Sequence, residues 1–127
     1  MDGADAKDYF LALPGAYEDF PFGPDVHVFK VNNKMFGTLG WEADLARINL
    51  KCEPEQAVFL RQMFAAVLPG YHMNKQHWNT VLLDGTVPRG ELERMIEHSF
   101  ALVVKKLPKA ERVALEIKHG KQNLYRA

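Results

Sequence analysis

Apolar residues recur at every second position in several short stretches of the chain, and a period of two predicts β-strands. The clearest case is LARINLKC, residues 45–52. Its side chains alternate strictly, with Ala46, Ile48, Leu50 and Cys52 against Arg47, Asn49 and Lys51. Upstream, VHVFKV and KMFGTLG have the composition of two paired strands. Asn32 and Asn33 between them predict a tight turn, because asparagine tolerates the positive φ that such a turn needs.

Apolar residues at helical spacing predict helices before and after these strands. The first helix covers residues 5–13 and is stopped by the LPG that follows. The second begins near Pro54, because proline is favoured in the first helical turn. Its apolar side consists of Ala57, Leu60, Met63, Phe64 and Val67.

The last third of the chain predicts one more strand and two more helices. The strand covers residues 78–83, and the longest helix covers residues 90–107 and is broken by Pro108. A shorter helix covers residues 110–118. Residues 120–127 are predicted to be a frayed tail.

The predicted order of elements, α-β-β-β-α-β-α-α, favours an α+β domain with helices packed on one face of an antiparallel sheet, since it contains no β-α-β unit. If the apolar side of residues 45–52 faces the helices, the polar side faces away from them. In residues 78–83, Val81 and Leu83 are the better core pair. The face without helices then carries Arg47, Asn49, Lys51, Trp78, Thr80 and Leu82.

Length and composition predict a single domain over residues 1–127. The apolar fraction of 47% is enough for one core, and the length leaves no room for a second lobe. The chain has no signal segment and no stretch of roughly 20 apolar residues, so we expect a cytoplasmic protein without membrane contact. The lone Cys52 excludes an internal disulfide and predicts a small core residue.

Charge is balanced overall but uneven along the chain. The 16 basic and 16 acidic residues give a net charge of zero, so no general attraction to nucleic acid is expected. Residues 1–70 hold 6 Lys/Arg against 10 Asp/Glu, which is −4, and residues 71–127 hold 10 against 6, which is +4. The molecule is therefore dipolar if folding keeps the two halves apart.

The segment YHMNKQHWNTVLLDG, residues 71–85, holds several chemically capable side chains. His72 and His77 are five residues apart, which suits neither a helix nor a strand as a metal site, and no further ligands are evident. A triad of a histidine with Asp84 and Thr80 lacks a nucleophile elbow. No phosphate loop or cofactor fingerprint is found. We therefore predict that the protein is not an enzyme, with no metal, no cofactor and no identifiable small-molecule substrate.

An aromatic residue beside basic residues on the sheet face without helices indicates a different role. Arg47 and Lys51 can hold phosphates while the ring of Trp78 stacks on bases, which is how nucleic-acid platforms work. The alternative is a solvated face with Trp78 covered by a loop, since tryptophan is usually mostly buried.

The segment at residues 71–85 also carries a family resemblance. Its core His-Met-Asn-Lys-x-His-Trp-Asn-Thr, together with FPFG and VFKVNNKMF before it and ELERMIEHSFALVVKKLP after it, resembles the MmcQ/YjbR family of small bacterial proteins. The resemblance covers residues 9–112. It implies an α+β fold related to that of the frataxin-like protein CyaY, and a DNA-binding role through two wing-like surface elements. It places Asn74, Lys75, His77 and Trp78 on the family signature, and Lys30 and Lys34 in the other shared segment.

The prediction is thus a small monomer that binds DNA weakly, in a salt-dependent way and with little base readout. The predicted contact residues are Lys30, Lys34, Arg47, Lys51, Asn74, Lys75, His77 and Trp78. A structural interpretation of the signature stays open. In that interpretation Asn74 caps backbone groups, His77 and Trp78 pack on their neighbours, and Lys75 covers them with its aliphatic stem.

The implied kinship to frataxin-like proteins leaves a second function open, an iron-handling or protein-interaction module with an acidic surface. Its residues would be Asp2, Asp5, Asp8, Glu18 and Asp19. Carboxylates suit hard cations. Aspartate at a helix start also complements the helix dipole, which is the simpler explanation.

Overall fold

The structure is a computed structural model that describes residues 1–70 and 73–126, and these form one antiparallel sheet of six strands with five helices. The strands are β1 (Tyr17–Asp19), β2 (His27–Val31), β3 (Lys34–Glu42), β4 (Leu45–Lys51), β5 (Val67–Pro69) and β6 (Trp78–Leu82). Their spatial order is β1-β2-β3-β4-β6-β5. The helices are α1 (Gly3–Ala12), α2 (Pro54–Met63), α3 (Arg89–Lys105), α4 (Lys109–His119) and α5 (Lys121–Leu124). None of these helices combines the length and the apolar composition needed to cross a bilayer.

Two tight turns connect the central strands β2, β3 and β4. Asn32 and Asn33 have φ values of 46° and 67°, which confirms the predicted turn. Ala43 and Asp44 form the second turn with φ values of 51° and 65°. Alanine rarely adopts positive φ because its Cβ crowds the backbone, so the sequence contained little sign of this second turn.

The strand register divides the sheet into a face covered by helices and a face without them. Ile48 lies opposite Leu39 and Val81, and all three are buried. On this helix face the ring of Phe10, from α1, stacks on that of Phe29 with 4.3 Å between centroids. The other side, which we call the open face, carries Lys30, Met35, Thr38, Arg47, Asn49, Lys51, Trp78, Thr80 and Leu82. The predicted α+β class, and the predicted sharing of one face by the polar side of β4 and by Trp78, are confirmed.

A β-bulge fits α1 closely onto the helix face. The pairing of β2 with β3 skips Phe36, so Phe36 and Gly37 both face the helices. A Cβ on Gly37 would overlap the ring of Phe10. Glycine is therefore needed here for close approach rather than for an unusual φ.

Ser99 of α3 joins the helix to the sheet at this bulge. Its Oγ donates a hydrogen bond of 2.5 Å to the carbonyl oxygen of Phe36 and accepts one of 2.9 Å from the backbone N–H of Lys51. The serine hydroxyl thus bridges backbone groups of β3 and β4 just beyond their last paired residues, Gly37 and Leu50. The end of β4 is thereby held next to the C-terminal half of α3.

The second helix is shorter than its apolar pattern predicts. α2 ends at Met63, whose side chain is exposed, and Val67 lies in β5 opposite Val81. The prediction that the apolar side of this helix continues through Phe64 and Val67 is wrong. A short apolar run fits a helix or a strand equally well, and here the sheet edge offered a partner strand.

The edge strand β1 lies between the predicted first helix and the predicted strand VHVFKV, where the sequence pattern predicts no strand. Glu18 and Asp19 are poor strand formers, and the strand is held by side chains on its neighbour β2. Lys30 Nζ lies 2.7 Å from Asp19 Oδ2, and His27 Nδ1 lies 2.8 Å from Glu18 Oε2. The strand therefore depends on pairs that local sequence patterns do not reveal.

The C-terminal segment is packed rather than frayed as far as it is described. Residues 121–124 form α5, and the side chain of Leu124 is buried in the core. The hydroxyl of Tyr125 donates a hydrogen bond of 2.7 Å to Glu116 Oε2. The prediction of a frayed tail is wrong for these residues, because the apolar surface left by α3 and α4 gives Leu124 a buried site.

Candidate nucleic-acid interface

A row of hydrogen-bonded polar side chains occupies the centre of the open face. Asn49 Nδ2 donates a hydrogen bond of 2.9 Å to Thr38 Oγ1, and Thr80 Oγ1 donates to Asn49 Oδ1. Both threonines are buried although no helix covers them. Both ends of the Asn49 amide are used inside the sheet, so this row offers little to a partner.

Two of the predicted basic residues on the open face are paired with carboxylates. Lys30 Nζ contacts Asp19, and this hydrogen bond raises the pKa of Lys30 and lowers the pKa of Asp19. Arg47 Nη2 lies 3.2 Å from Glu42 Oε2. Both cations are thus partly neutralised within the molecule and have less to offer a phosphate.

Three lysines line one depression at the edge of the open face, where the β2–β3 hairpin, the end of β4 and the end of α3 meet. We call Lys34, Lys51 and Lys106 the lysine cluster. No ion pair joins any of them to a carboxylate among the described residues. Burial, followed by the positive charge of Lys106, lowers the pKa of Lys51. The cluster therefore concentrates positive charge that lacks a counterion within the described part of the chain.

Sequence reasoning identified Lys34 and Lys51 but missed Lys106. Lys106 is the C-cap of α3, and a basic residue there is expected simply to complement the helix dipole. Its position beside Lys51 follows from the way in which Ser99 fixes α3 against β4. No local pattern around residue 106 indicates that contact.

The signature segment builds the turn that leads into β6. Asn74 Oδ1 accepts a hydrogen bond of 2.9 Å from the backbone N–H of Gln76, and the carbonyl oxygen of Asn74 accepts one of 3.2 Å from the N–H of His77. The carbonyl oxygen of His77 accepts a bond of 2.8 Å from the N–H of Cys52. Asn74 thus caps backbone groups of the turn, which is the role that the structural interpretation of the signature predicts for it. His72, which the metal hypothesis needed, lies outside the described residues.

Trp78 stands beside the lysine cluster. It is the first residue of β6 and pairs with Lys51 across the strands, with its side chain half-buried. Lys75 is exposed in the turn just before it. Among the predicted contact residues, the following have side chains that form no hydrogen bond or ion pair with the described part of the chain: Lys34, Lys51, Lys75, His77 and Trp78.

The acidic residues of the second hypothesis are largely engaged in local structure. Asp2 Oδ1 accepts from the N–H of Asp5, and Asp5 Oδ2 accepts from the N–H of Asp2, at 2.8 and 3.0 Å. This capping box is the main cause of the lowered pKa of Asp5. Glu18 Oε2 lies 3.5 Å from Lys7 Nζ and also contacts His27. No three His, Cys, Asp or Glu side chains within residues 1–70 and 73–126 are arranged to hold a metal.

The fold is that of a small α+β protein with one open sheet face, and the lysine cluster makes one edge of that face basic in this chain. The family model described as YjbR matches residues 11–102, and the chain belongs to the YjbR family. Protein YbdF of Escherichia coli O157:H7 is 36% identical over 106 residues, which cover 84% of this chain and 87% of YbdF. Protein YjbR of Escherichia coli strain K12 is 33% identical over 115 residues, covering 91% and 98%.

A solved structure confirms the fold. The crystal structure of Deinococcus radiodurans protein DR2400, with a DUF419 domain, has a TM-score of 0.83 and 40% sequence identity, and the match covers 90% of this chain and 87% of that one. The mixed fold with an antiparallel sheet is therefore shared with that protein. The relation to CyaY stays a prediction of the family resemblance.

Proposed function

We propose that this protein binds nucleic acid through the lysine cluster and the adjacent Trp78. The observation that carries the proposal is that Lys34, Lys51 and Lys106 surround one depression, with no carboxylate partner among the described residues. A phosphate placed there would supply the missing counterion. It would also offset the repulsion and burial that lower the pKa of Lys51.

The arrangement favours binding to the backbone over reading of bases. Met35, Val103 and Leu107 form the apolar part of the depression, where reduced solvent strengthens attraction to a phosphate. Trp78 offers part of its ring to a base, and Lys75 extends the positive surface. The polar groups at the centre of the open face already bond to each other. The proposed binding is therefore weak in sequence preference and strong in salt dependence.

The salt dependence of binding tests the proposal with labelled 20-nucleotide single-stranded and duplex DNA, followed by fluorescence polarisation at neutral pH. Three lysines give an expected slope of log K against log salt of about −2.7 for duplex and about −2.1 for single strands. Lys51→Gln or Lys106→Gln should make the duplex slope shallower by about 0.9. Trp78→Leu should weaken binding to single strands more than to duplex, since only unpaired bases are free to stack.

Lys118→Gln is the matched control, because Lys118 is exposed on α4 and does not line the depression. It removes the same charge and should leave the slope within about 0.2 of the wild type. If wild-type protein binds neither DNA at low salt, or if Lys118→Gln weakens binding as much as Lys51→Gln, the proposed interface is wrong.

A further inference from the structure

A separate cavity lies on the helix face, between α2, α3 and the ends of β4 and β6. It has a volume of about 190 Å³. Its inner wall is largely apolar, and Glu91 and Arg94 of α3, paired at 2.7 Å, stand at its rim. The apolar wall is formed by Leu50, Cys52, Leu60, Val81 and Met95. Polar and charged side chains also line it, and this combination of an apolar wall with polar groups is found in small-molecule sites.

Asn79 of β6 lines this cavity and has an unused hydrogen-bond acceptor. Its side chain is only 2% exposed, and its Nδ2 donates to the carbonyl oxygen of Ala57 at 3.3 Å. That bond fixes the orientation of the amide, since a carbonyl oxygen requires the NH₂ end. Asn79 Oδ1 has no donor within the described chain. A buried acceptor in that state is costly, and either water or a ligand supplies the donor that satisfies it.

His98 of α3 contributes a second unused polar atom. His98 Nε2 is buried, lacks a partner among the described residues, and belongs to a side chain that lines the same cavity. Depending on its tautomer, this nitrogen donates or accepts a hydrogen bond. One unused group therefore comes from the sheet and the other from the helix packed on it.

We propose that this cavity binds a small planar heterocycle that donates an N–H to Asn79 Oδ1 and presents a second polar atom to His98 Nε2. A cavity of about 150 Å³ accommodates benzene, so this space suits a fused ring of about nine non-hydrogen atoms. Burial raises the pKa of the Cys52 thiol to about 11. The thiol stays protonated at neutral pH, so the site is one for reversible binding rather than for covalent chemistry. The proposal does not rest on nucleic-acid binding, although Lys51 lines both this cavity and the depression of the lysine cluster.

Two ligands of the same shape test the proposal on the full-length wild-type chain. Benzimidazole carries an N–H donor and a ring nitrogen acceptor, whereas indene has the same fused frame without either. Titration followed by amide and imidazole NMR signals should show saturable shifts at Asn79 and His98. Benzimidazole should bind about tenfold more tightly than indene, because only benzimidazole satisfies the two buried groups.

Substitution of Asn79 provides the second measurement. Asn79→Leu keeps the size of the side chain and should make the affinities for benzimidazole and indene equal within about twofold. Asn49→Leu is the matched control, because Asn49 lies on the open face with both amide ends bonded, and it should keep the tenfold preference.

Two results overturn the proposal. One is an equal affinity of the wild type for the two ligands, and the other is an absence of saturable shifts at Asn79 and His98. Either result would mean that the cavity is a hydrated packing gap without a ligand. The wild-type comparison decides the question even if a variant fails to fold.

Discussion

Two asparagines on neighbouring strands, Asn49 of β4 and Asn79 of β6, show how differently the two faces of the sheet are used. Asn49, on the open face, bonds to Thr38 through its Nδ2 and to Thr80 through its Oδ1. Asn79, on the helix face, uses only its Nδ2 and leaves its Oδ1 beside a cavity. On the face without helices the row of Asn49, Thr38 and Thr80 is paired, although Arg47 Nε on the same face is buried and has no partner in the described chain. The candidate ligand site is marked by unused hydrogen-bonding groups whose residues also line a cavity.

The charges on the open face show a similar contrast between its centre and its edge. Lys30 and Arg47 are paired with carboxylates, whereas no such pair involves Lys34, Lys51 or Lys106 in the described chain. The edge therefore has the greater capacity to bind an anion. Both candidate sites lie where α3 meets the end of β4, and Lys51 lines both of them.

Two glycines of β3 provide the strongest test of the difference between the faces. Gly37 faces Phe10, and an added Cβ would overlap its ring, while a Cβ on Gly40 would meet its nearest neighbour, the carbonyl oxygen of Asp25, at 3.8 Å. Gly37→Ala should lower the free energy of unfolding by about 3 kcal/mol through overpacking. Gly40→Ala should raise it by about 0.5 kcal/mol, because alanine loses less backbone entropy on folding. Urea unfolding followed by circular dichroism measures both.

One outcome for Gly37→Ala and Gly40→Ala would contradict this prediction. Both variants make the same chemical change on the same strand, so local strand propensity cancels between them. Equal unfolding free energies would mean that Phe10 does not fill the space beside Gly37, and the close packing of α1 on the helix face would be wrong.

Replacement of either asparagine by leucine should give the next largest difference. The quantity compared here is the free energy of unfolding rather than ligand affinity. Asn49→Leu removes the hydrogen-bond partner that Thr38 and Thr80 share, so it should lower the free energy of unfolding by about 1 to 2 kcal/mol. Asn79→Leu loses one hydrogen bond but also removes an unpaired acceptor, so its unfolding free energy should stay within about 0.5 kcal/mol of the wild type. Chemical denaturation at neutral pH compares them. A larger loss for Asn79→Leu would show that its Oδ1 is satisfied in solution.

The smallest effect concerns the charges of the lysine cluster. Lys106→Gln removes a positive neighbour of Lys51, so the pKa of Lys51 should rise towards its ordinary value. Relief of repulsion should stabilise the fold by about 0.3 kcal/mol. An NMR titration of the Lys51 side chain gives the pKa, and Lys118→Gln should leave it unchanged.

The same variant has a predictable effect on the pH dependence of stability. The lowered pKa of Lys51 means that the unfolded chain holds this proton to higher pH than the folded chain does. Stability therefore gains a contribution as pH rises from the folded pKa of Lys51 to its ordinary value. Lys106→Gln should make this gain smaller, and an unchanged gain would mean that Lys106 does not act on Lys51.

Strict alternation of apolar and polar residues predicted the sheet most reliably. In β4 each apolar residue has a polar neighbour, so one buried face fixes the direction of every side chain. The alternation is therefore sufficient to place Lys51 and Trp78 on one face. The apolar run that ends at Val67 has no such alternation, and the sheet edge decided between helix and strand.

Residues close together in the chain are enough to determine the α+β class, the hairpin at Asn32 and Asn33, and the sides of β4 and β6. Packing between distant elements brought Lys106 beside Lys51 and placed His98 and Asn79 around one cavity. Each pair joins residues far apart in sequence, and its geometry depends on how α3 is seated on the sheet by Ser99 and the bulge at Phe36. Local periodicity carries no information about that seating, because it arises from contacts between elements rather than within them.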